Sequence, residues 1–340
     1  MSESHVIDAS RPRTMPGLRG VGHTTCSGSR GVTLVELMVA LVIGLVITLA
    51  AVAALLASRS GFNAVDASSQ VRENARFASD LIYRIAVQAG YEDIAYGVGT
   101  KSTAMFGGTA PSPDIRGADD ALFGSPTTFP PTLTSANRSS GCGSVTDTSC
   151  LNGSDILVVR YQGSSTPPTS TTADGSIINC AGKPEPSSSG SVDDRAYSVF
   201  HVKAGASGEP SLMCSYRSGS TWTTVPIVQG VEGFQVLYGV DYKDGATSGQ
   251  DSVPDQYVRA SQIATADDWR RVRSLRIGLL VRGPAGSAVD RAASGRTYYP
   301  LGADQSDAAD TGTALVVAAD GRLRQELGFT VYLHNRLGTD

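Results

Sequence analysis

Apolar positions along this chain fall into three regimes. From Leu37 to Ser58, 22 residues carry no charge and almost all are aliphatic. As a helix, a run of that length crosses a hydrocarbon core of about 30 Å. No proline occurs between Val32 and Gly90, so the helix is expected to continue beyond the apolar run. Over residues 59–90 the apolar positions thin to a stripe. Phe77, Leu81 and Ile85 recur at spacing four, with Ala78, Ile82 and Ala86 beside them, which predicts an amphipathic helix that needs a sheet to cover one face. Gly90 is the expected stop, and Gly61 a point where the helix can bend. A helix from Val32 to Ala89 would be about 87 Å long, at about 1.5 Å per residue.

The third regime is β-like. Residues 97–150 are rich in Gly, Ser, Thr and Pro with little periodicity and read as an irregular link. Strands are predicted at Asp155–Tyr161, Ala196–Lys203, Ser211–Tyr216, Trp222–Val228, Gly233–Tyr238, Ser274–Val281 and Phe329–His334. Several of them alternate apolar and polar residues, as half-buried antiparallel strands do. Residues 163–192 are Ser/Thr/Pro-rich and read as a surface excursion. Thr265 is placed to cap a short helix carrying Trp269. No internal repeat is visible, so one globular domain on one long helix is the economical organisation.

Charge changes the picture at the N-terminus. Residues 1–31 hold Arg11, Arg13, Arg19 and Arg30 against Glu3 and Asp8, a net +2. An excess of basic residues ahead of an apolar segment favours a cytoplasmic N-terminus, with the bulk of the chain across the membrane. The remaining 309 residues carry 24 basic and 30 acidic side chains, a net −6. No strong basic field remains, and direct nucleic-acid binding is not expected.

Residues 31–36 read Gly-Val-Thr-Leu-Val-Glu, and the apolar run follows at once. A lone carboxylate, Glu36, at the edge of a membrane helix is costly and so points to a function. The stretch GVTLVELMVALVIGLVITLAAVAALL, from Gly31 to Leu56, resembles the leader junction and N-terminal helix of type IV pilins and type II secretion pseudopilins. The resemblance implies that a prepilin peptidase cuts after Gly31 and N-methylates Val32. Val32 departs from the usual Phe, and the leader is longer than most. An ordinary secretory signal would place its cut beyond the apolar region, not before it.

Further blocks narrow the family. VQGVEGFQVLYGVD (228–241), Asp255-Gln-Tyr-Val258, Val272–Arg282 and FTVYLHNR (329–336) resemble the PilW family of minor pilins. So do Arg72–Ala78 and Ala89-Gly-Tyr91. The implied fold class is α+β and type IV pilin-like, a long N-terminal helix packed on an antiparallel β-sheet with long loops. The expected organisation is a cleaved leader (1–31), a membrane and assembly half of the helix (32–58), an amphipathic half (59–90) and an exported, loop-rich sheet domain (91–340).

The resemblance also implies that the Glu36 carboxylate pairs with the N-terminal amine of a neighbouring subunit during assembly. Pairing offsets much of the cost of two isolated charges in a low-dielectric bundle. The expected role is a minor pilin that helps to initiate a type IV pilus in a tip or priming complex. Motility, adhesion and DNA uptake would follow from the filament. Expected partners are the prepilin peptidase, other minor pilins and the major pilin, the inner-membrane assembly platform and membrane lipid. The expected location is the bacterial inner membrane, single-pass with a periplasmic C-terminal domain, and then the pilus at the cell surface. Two other readings are a J-class type II secretion pseudopilin and a membrane-anchored adhesin or Ca²⁺-dependent binding module.

Five cysteines are present, and Cys26 lies in the leader. The other four, Cys142, Cys150, Cys180 and Cys214, suit an oxidising compartment and allow three pairings. Cys142–Cys150 would close a short local loop, and Cys180–Cys214 would tie a loop to a strand; the second is also the pairing the family resemblance implies. Asp241, Asp244, Asp251 and Asp255 supply carboxylates in one loop, the kind of donor Ca²⁺ takes. Their spacing departs from an EF-hand, with Lys243 where a ligand would fall, so no cofactor is expected. His201 and His334 sit in predicted strands with no triad spacing, and neither a Gly-x-Ser-x-Gly nor a Walker A sequence occurs. No enzymatic activity is expected.

Overall fold

A computed structural model describes residues 31–92, 113–121, 123, 151–167, 170–187, 195–205, 207–218, 221–242, 252–288, 295–308 and 310–335. The chain divides into two units, residues 1–56 and 57–340. In the first, the described residues are the start of a helix, α1 (Leu34–Ala86), and every side chain there is exposed. The helix is long and apolar enough near its N-terminus to cross a membrane.

In the second unit the rest of α1 meets sheets. The buried positions are Ala67, Val71, Ala75, Ala78, Ile82, Ile85 and Ala86. This is the 3.6-residue repeat expected of a helix with one covered face, but the stripe is rotated from the expected one. Ala78, Ile82, Ile85 and Ala86 of the expected set belong to it, whereas Leu81 is half-buried and Phe77 is 54% exposed. Small alanines line the contact and let the helix lie close. The helix ends at Ala86, three residues before the expected end, and a turn runs to Gly90. Gly90 has φ 73°, and its N–H donates to the Arg160 carbonyl at 3.0 Å. A glycine in the left-handed region is the usual helix stop.

Five strands follow as an antiparallel meander: β1 (Ile115–Ala118), β2 (Ile156–Tyr161), β3 (Ala196–Ala204), β4 (Pro210–Ser218) and β5 (Thr221–Gln229). A second antiparallel sheet has the order β11-β8-β6-β7, from β6 (Val231–Val240), β7 (Gln256–Val258), β8 (Val272–Arg282) and β11 (Arg324–Tyr332). Between β7 and β8 lies α2 (Ala266–Arg270), capped by the Thr265 side chain accepting from the Asp268 N–H, with Trp269 buried. A ribbon of β9 (Arg296–Tyr298) and β10 (Leu315–Val317) completes the set. All seven predicted strands are present. The expected single sheet is two sheets and a ribbon, and the stretch read as an irregular link contributes β1.

Gly230 turns the chain from one sheet to the other. It has φ 87°, and a Cβ there would fall 2.5 Å from the Arg282 carbonyl oxygen. Only glycine meets both demands. One core joins helix and sheets, with Val71, Ile82 and Ile85 packed among Leu157, Phe200, Phe234, Val236 and Ile277. Polar ties fix the helix further: Asn74 Nδ2 donates to the Gln229 carbonyl at 3.1 Å, and Asn335 Nδ2 to the Val87 carbonyl at 3.0 Å. Buried Arg195 bonds the Tyr91 carbonyl at 2.9 Å and the Glu92 carboxylate at 2.9 Å, securing the chain past the helix. At the far end of β6, buried Glu232 receives Arg324 and Arg282.

The excursion at 163–187 is not purely a surface feature. Ser164, Ser165, Asn179, Cys180 and Ser187 are buried. The segment is held by the Cys180–Cys214 disulfide, by Asn179 Nδ2 on Glu185 and by the Cys180 N–H on the Ser198 hydroxyl.

Candidate assembly site

The N-terminal junction is a small, self-contained motif. Thr33 precedes the helix and Glu36 stands in its first turn. The Glu36 N–H donates to Thr33 Oγ1 at 3.2 Å. In return, Glu36 Oε2 accepts from the Thr33 N–H at 3.2 Å and from the Thr33 hydroxyl at 3.4 Å. This is a capping box: two N-terminal N–H groups that lack helical partners satisfy each other's side chains. A carboxylate here also meets the positive end of the helix dipole. Both Thr33 bonds fall on Oε2, so Oε1 is turned to the surroundings. The pattern Thr-x-x-Glu was legible in the sequence, but the reading above took Glu36 only as an intersubunit group.

Gly31 and Val32 lie just ahead of the box. Space is open around Gly31, and Val32 is 68% exposed. Nothing described shields the bond between them. Behind the box, Leu34 through Leu56 offers an unbroken exposed aliphatic surface. In the second unit Phe62, Val65, Phe77 and Tyr83 are exposed large side chains off the buried stripe.

Of the four cysteines, Cys180 and Cys214 form the expected disulfide; Cys142 and Cys150 lie outside the described residues. The loop carboxylates do not behave as a group. Asp241 is buried, accepts from the Ser252 N–H at 3.0 Å and faces Arg273 Nε at 3.3 Å. Asp255 is exposed, and Asp244 and Asp251 lie outside the described residues. A guanidinium thus already faces the one buried carboxylate described in this loop. The described carboxylates that do gather are Asp120, Asp155 and Asp310, which the sequence reading missed.

His201 is a sheet residue with polar neighbours. Its Nε2 lies 3.0 Å from the Ser215 hydroxyl, which lies 2.7 Å from the Thr224 hydroxyl, and Phe123 stacks on its ring. Burial drives its pKa down to about 3, so the imidazole is neutral. These contacts run to hydroxyls and do not form a triad.

Two family models match this chain. One, described as the prokaryotic N-terminal methylation motif, matches residues 26–52. The other, described as Type IV Pilus-assembly protein W, matches residues 199–335. No curated protein matches. Among solved structures, the type IV-like pilin TTHA1219 from Thermus thermophilus is similar, at 14% identity over 78% of this chain and 97% of that one. Its TM-score of 0.35 is too loose an overlap to argue from.

The methylation motif, running into an apolar helix ahead of an antiparallel β domain, defines a type IV pilin-like subunit. A motif of this kind implies processing by a prepilin peptidase and pilin partners, and it is consistent with membrane anchoring. The C-terminal match makes the likeness more particular: residues 199–335 are similar to the family described as Type IV Pilus-assembly protein W.

Proposed function

We propose that this chain is a minor pilin that helps to initiate type IV pilus assembly as part of a tip or priming complex. In this reading the peptidase removes residues 1–31 and methylates Val32. Residues 32–58 then hold the subunit in the bacterial inner membrane with residues 91–340 periplasmic, until it joins other minor pilins and the major pilin at the assembly platform. Its work is lateral packing, not catalysis.

The observation that carries the reading is the Thr33–Glu36 box at the head of an uncovered apolar helix. While the subunit is alone, the box holds the carboxylate against its own N-terminus and lowers the cost of keeping a charge beside lipid. Cleavage after Gly31 creates an amine at Val32. The outward Oε1 is then the atom placed to take the amine of a neighbour, and a charge-assisted hydrogen bond between them fixes the axial register of two helices.

Two measurements test this. The intact mass of membrane-extracted protein is compared between cells with and without the peptidase; loss of residues 1–31 and gain of one methyl, only with the peptidase, is expected. Piliation is then scored in cells whose only copy carries Glu36→Ala. Normal pilus numbers with this variant would rule out the assembly role of Glu36.

A further inference from the structure

We propose that the buried carboxylates Asp120, Asp155 and Asp310 form a binding site for a divalent cation of the Ca²⁺ class, separate from the membrane helix and from the 241–255 loop. The inference does not depend on the pilin reading.

Three segments distant in sequence meet beside β6. The chain leaves β1 through Asp119 and Asp120. It enters β2 from the 3₁₀ turn Leu151–Gly153 through Ser154 and Asp155. Asp310 precedes a second 3₁₀ turn, Thr311–Thr313. All four aspartates are at most 6% exposed. One oxygen each from Asp120, Asp155 and Asp310 lies within 4.8 Å of the others. A cation at their centre therefore sits no more than about 2.8 Å from each, a bound that admits the roughly 2.3–2.6 Å of Ca²⁺–oxygen bonds. The donors are all oxygens, which suits a hard cation and not a thiolate- or imidazole-seeking metal.

The frame is rigid. Asp155 accepts from the Asp120 N–H at 3.1 Å and from the Val236 N–H at 2.7 Å. Asp119 is held by the Ala260 and Ser261 N–H groups at 2.9 and 2.8 Å. Asp310 faces Arg259 Nε at 2.9 Å, and the same guanidinium also pairs with Asp307. Burial, with the charges of Asp119 and Asp310, pushes the Asp155 carboxyl well above the usual carboxylate range.

Two neutral oxygens beside the cluster point to the same use. The Tyr238 hydroxyl, on a side chain only 1% exposed, is buried without a hydrogen-bond partner. Its tip lies against Gly117, two residues before Asp119, where a Cβ would fall 1.7 Å from it and 2.8 Å from the carbonyl oxygen of Ile156, the residue after Asp155. Gln235, fully buried, is wedged between Gly153 and Gly312, the segments that carry Asp155 and Asp310. Its Nε2 donates to the Gly153 carbonyl at 2.7 Å, and its Oε1 has no partner. Gly153 in turn lies against Asp120, since a Cβ there would fall 2.6 Å from Asp120 Oδ1. Buried polar atoms are rarely left unpaired, and an unfilled ion site is one physical reason for two of them together.

The test uses full-length protein in detergent, stripped of metal, with Tb³⁺ as the probe. The Trp269 ring, 4.8 Å from that of Tyr238, places an antenna beside the site. Saturable sensitised emission at one ion per chain is expected, with Ca²⁺ displacing it. Asp155→Asn and Asp310→Asn should weaken Tb³⁺ binding at least about tenfold, whereas Asp241→Asn should leave it unchanged. Unsaturable emission, or binding lost with Asp241→Asn but kept with Asp310→Asn, overturns the proposal. Because a variant can fail to fold, the wild type is also melted in Ca²⁺ and in EGTA. A Tm that rises with Ca²⁺ is expected, and coincident melts overturn the proposal.

Discussion

The rotated stripe on α1 gives a prediction that separates packing from pattern. Ile82 is fully buried and Phe77 is 54% exposed, although Phe77 is the larger apolar residue. Ile82→Ala removes roughly three methylene equivalents, about 2.4 kcal/mol of transfer energy. The cavity left between helix and sheets raises the cost to about 3–4 kcal/mol. At about 2 °C per kcal/mol for a domain of this size, Tm should fall by about 6–8 °C. Phe77→Ala removes more atoms, but half of the ring already meets solvent, so the cost should stay within about 1 kcal/mol. Thermal unfolding of the detergent-solubilised full-length protein, followed by near-ultraviolet circular dichroism and by protease resistance, reads both variants. An equal fall for Phe77→Ala would refute the assigned face.

Four further outcomes follow from the geometry. Thr33→Ala opens the capping box and should cost about 1 kcal/mol of helix stability, leaving cleavage after Gly31 intact by mass. Reducing Cys180–Cys214, or Cys180→Ala, releases a loop of 34 residues' separation and should cost about 3–4 kcal/mol, read as a lower denaturant midpoint. Glu232→Ala removes one of the two carboxylates on Arg324, which keeps Asp320 at 2.6 Å, and should cost about 1–3 kcal/mol in the same assay. His201 has a folded pKa of about 3 against 6.5 unfolded, so the unfolded chain binds the extra proton as pH falls below 6.5. Stability should drop by about 2 kcal/mol between pH 8 and pH 5. Asp155, whose pKa is raised, acts in the opposite sense, so the signature is the difference between wild type and His201→Asn, in which the acid-side loss due to His201 is absent.

Long periodic segments could be read from the sequence because their pattern follows directly from burial. The apolar run beyond Glu36 and strands such as Val272–Arg282 needed no partner to be recognised. On α1 the reading caught Ala78, Ile82, Ile85 and Ala86 but missed Ala67, Val71 and Ala75, because alanines fit a core or a surface equally well, while Phe77 drew the eye. The strands β1, β7, β9 and β10 are three or four residues long, too short to show alternation. They exist because a neighbouring strand offers its edge. The carboxylate group was out of reach for another reason: Asp120, Asp155 and Asp310 are brought together by two sheets and a turn, and no spacing along the chain encodes that meeting. The assembly motif was the reverse case, local and contiguous, and its capping role followed from four residues.

The turn at Gly230 has a consequence for a chain synthesised N-terminus first. Every strand of the five-stranded sheet lies before that residue, and every strand of the four-stranded sheet after it. The earlier sheet can therefore zip by neighbour-to-neighbour pairing while the later one is still on the ribosomal side. The later sheet cannot do the same, because β6 must wait for β8, and β8 for β11. During that interval Val71, Ile82 and Ile85 have half of their cover. The waiting period, not the finished molecule, is the moment at which this protein is most open to proteolysis and misassociation.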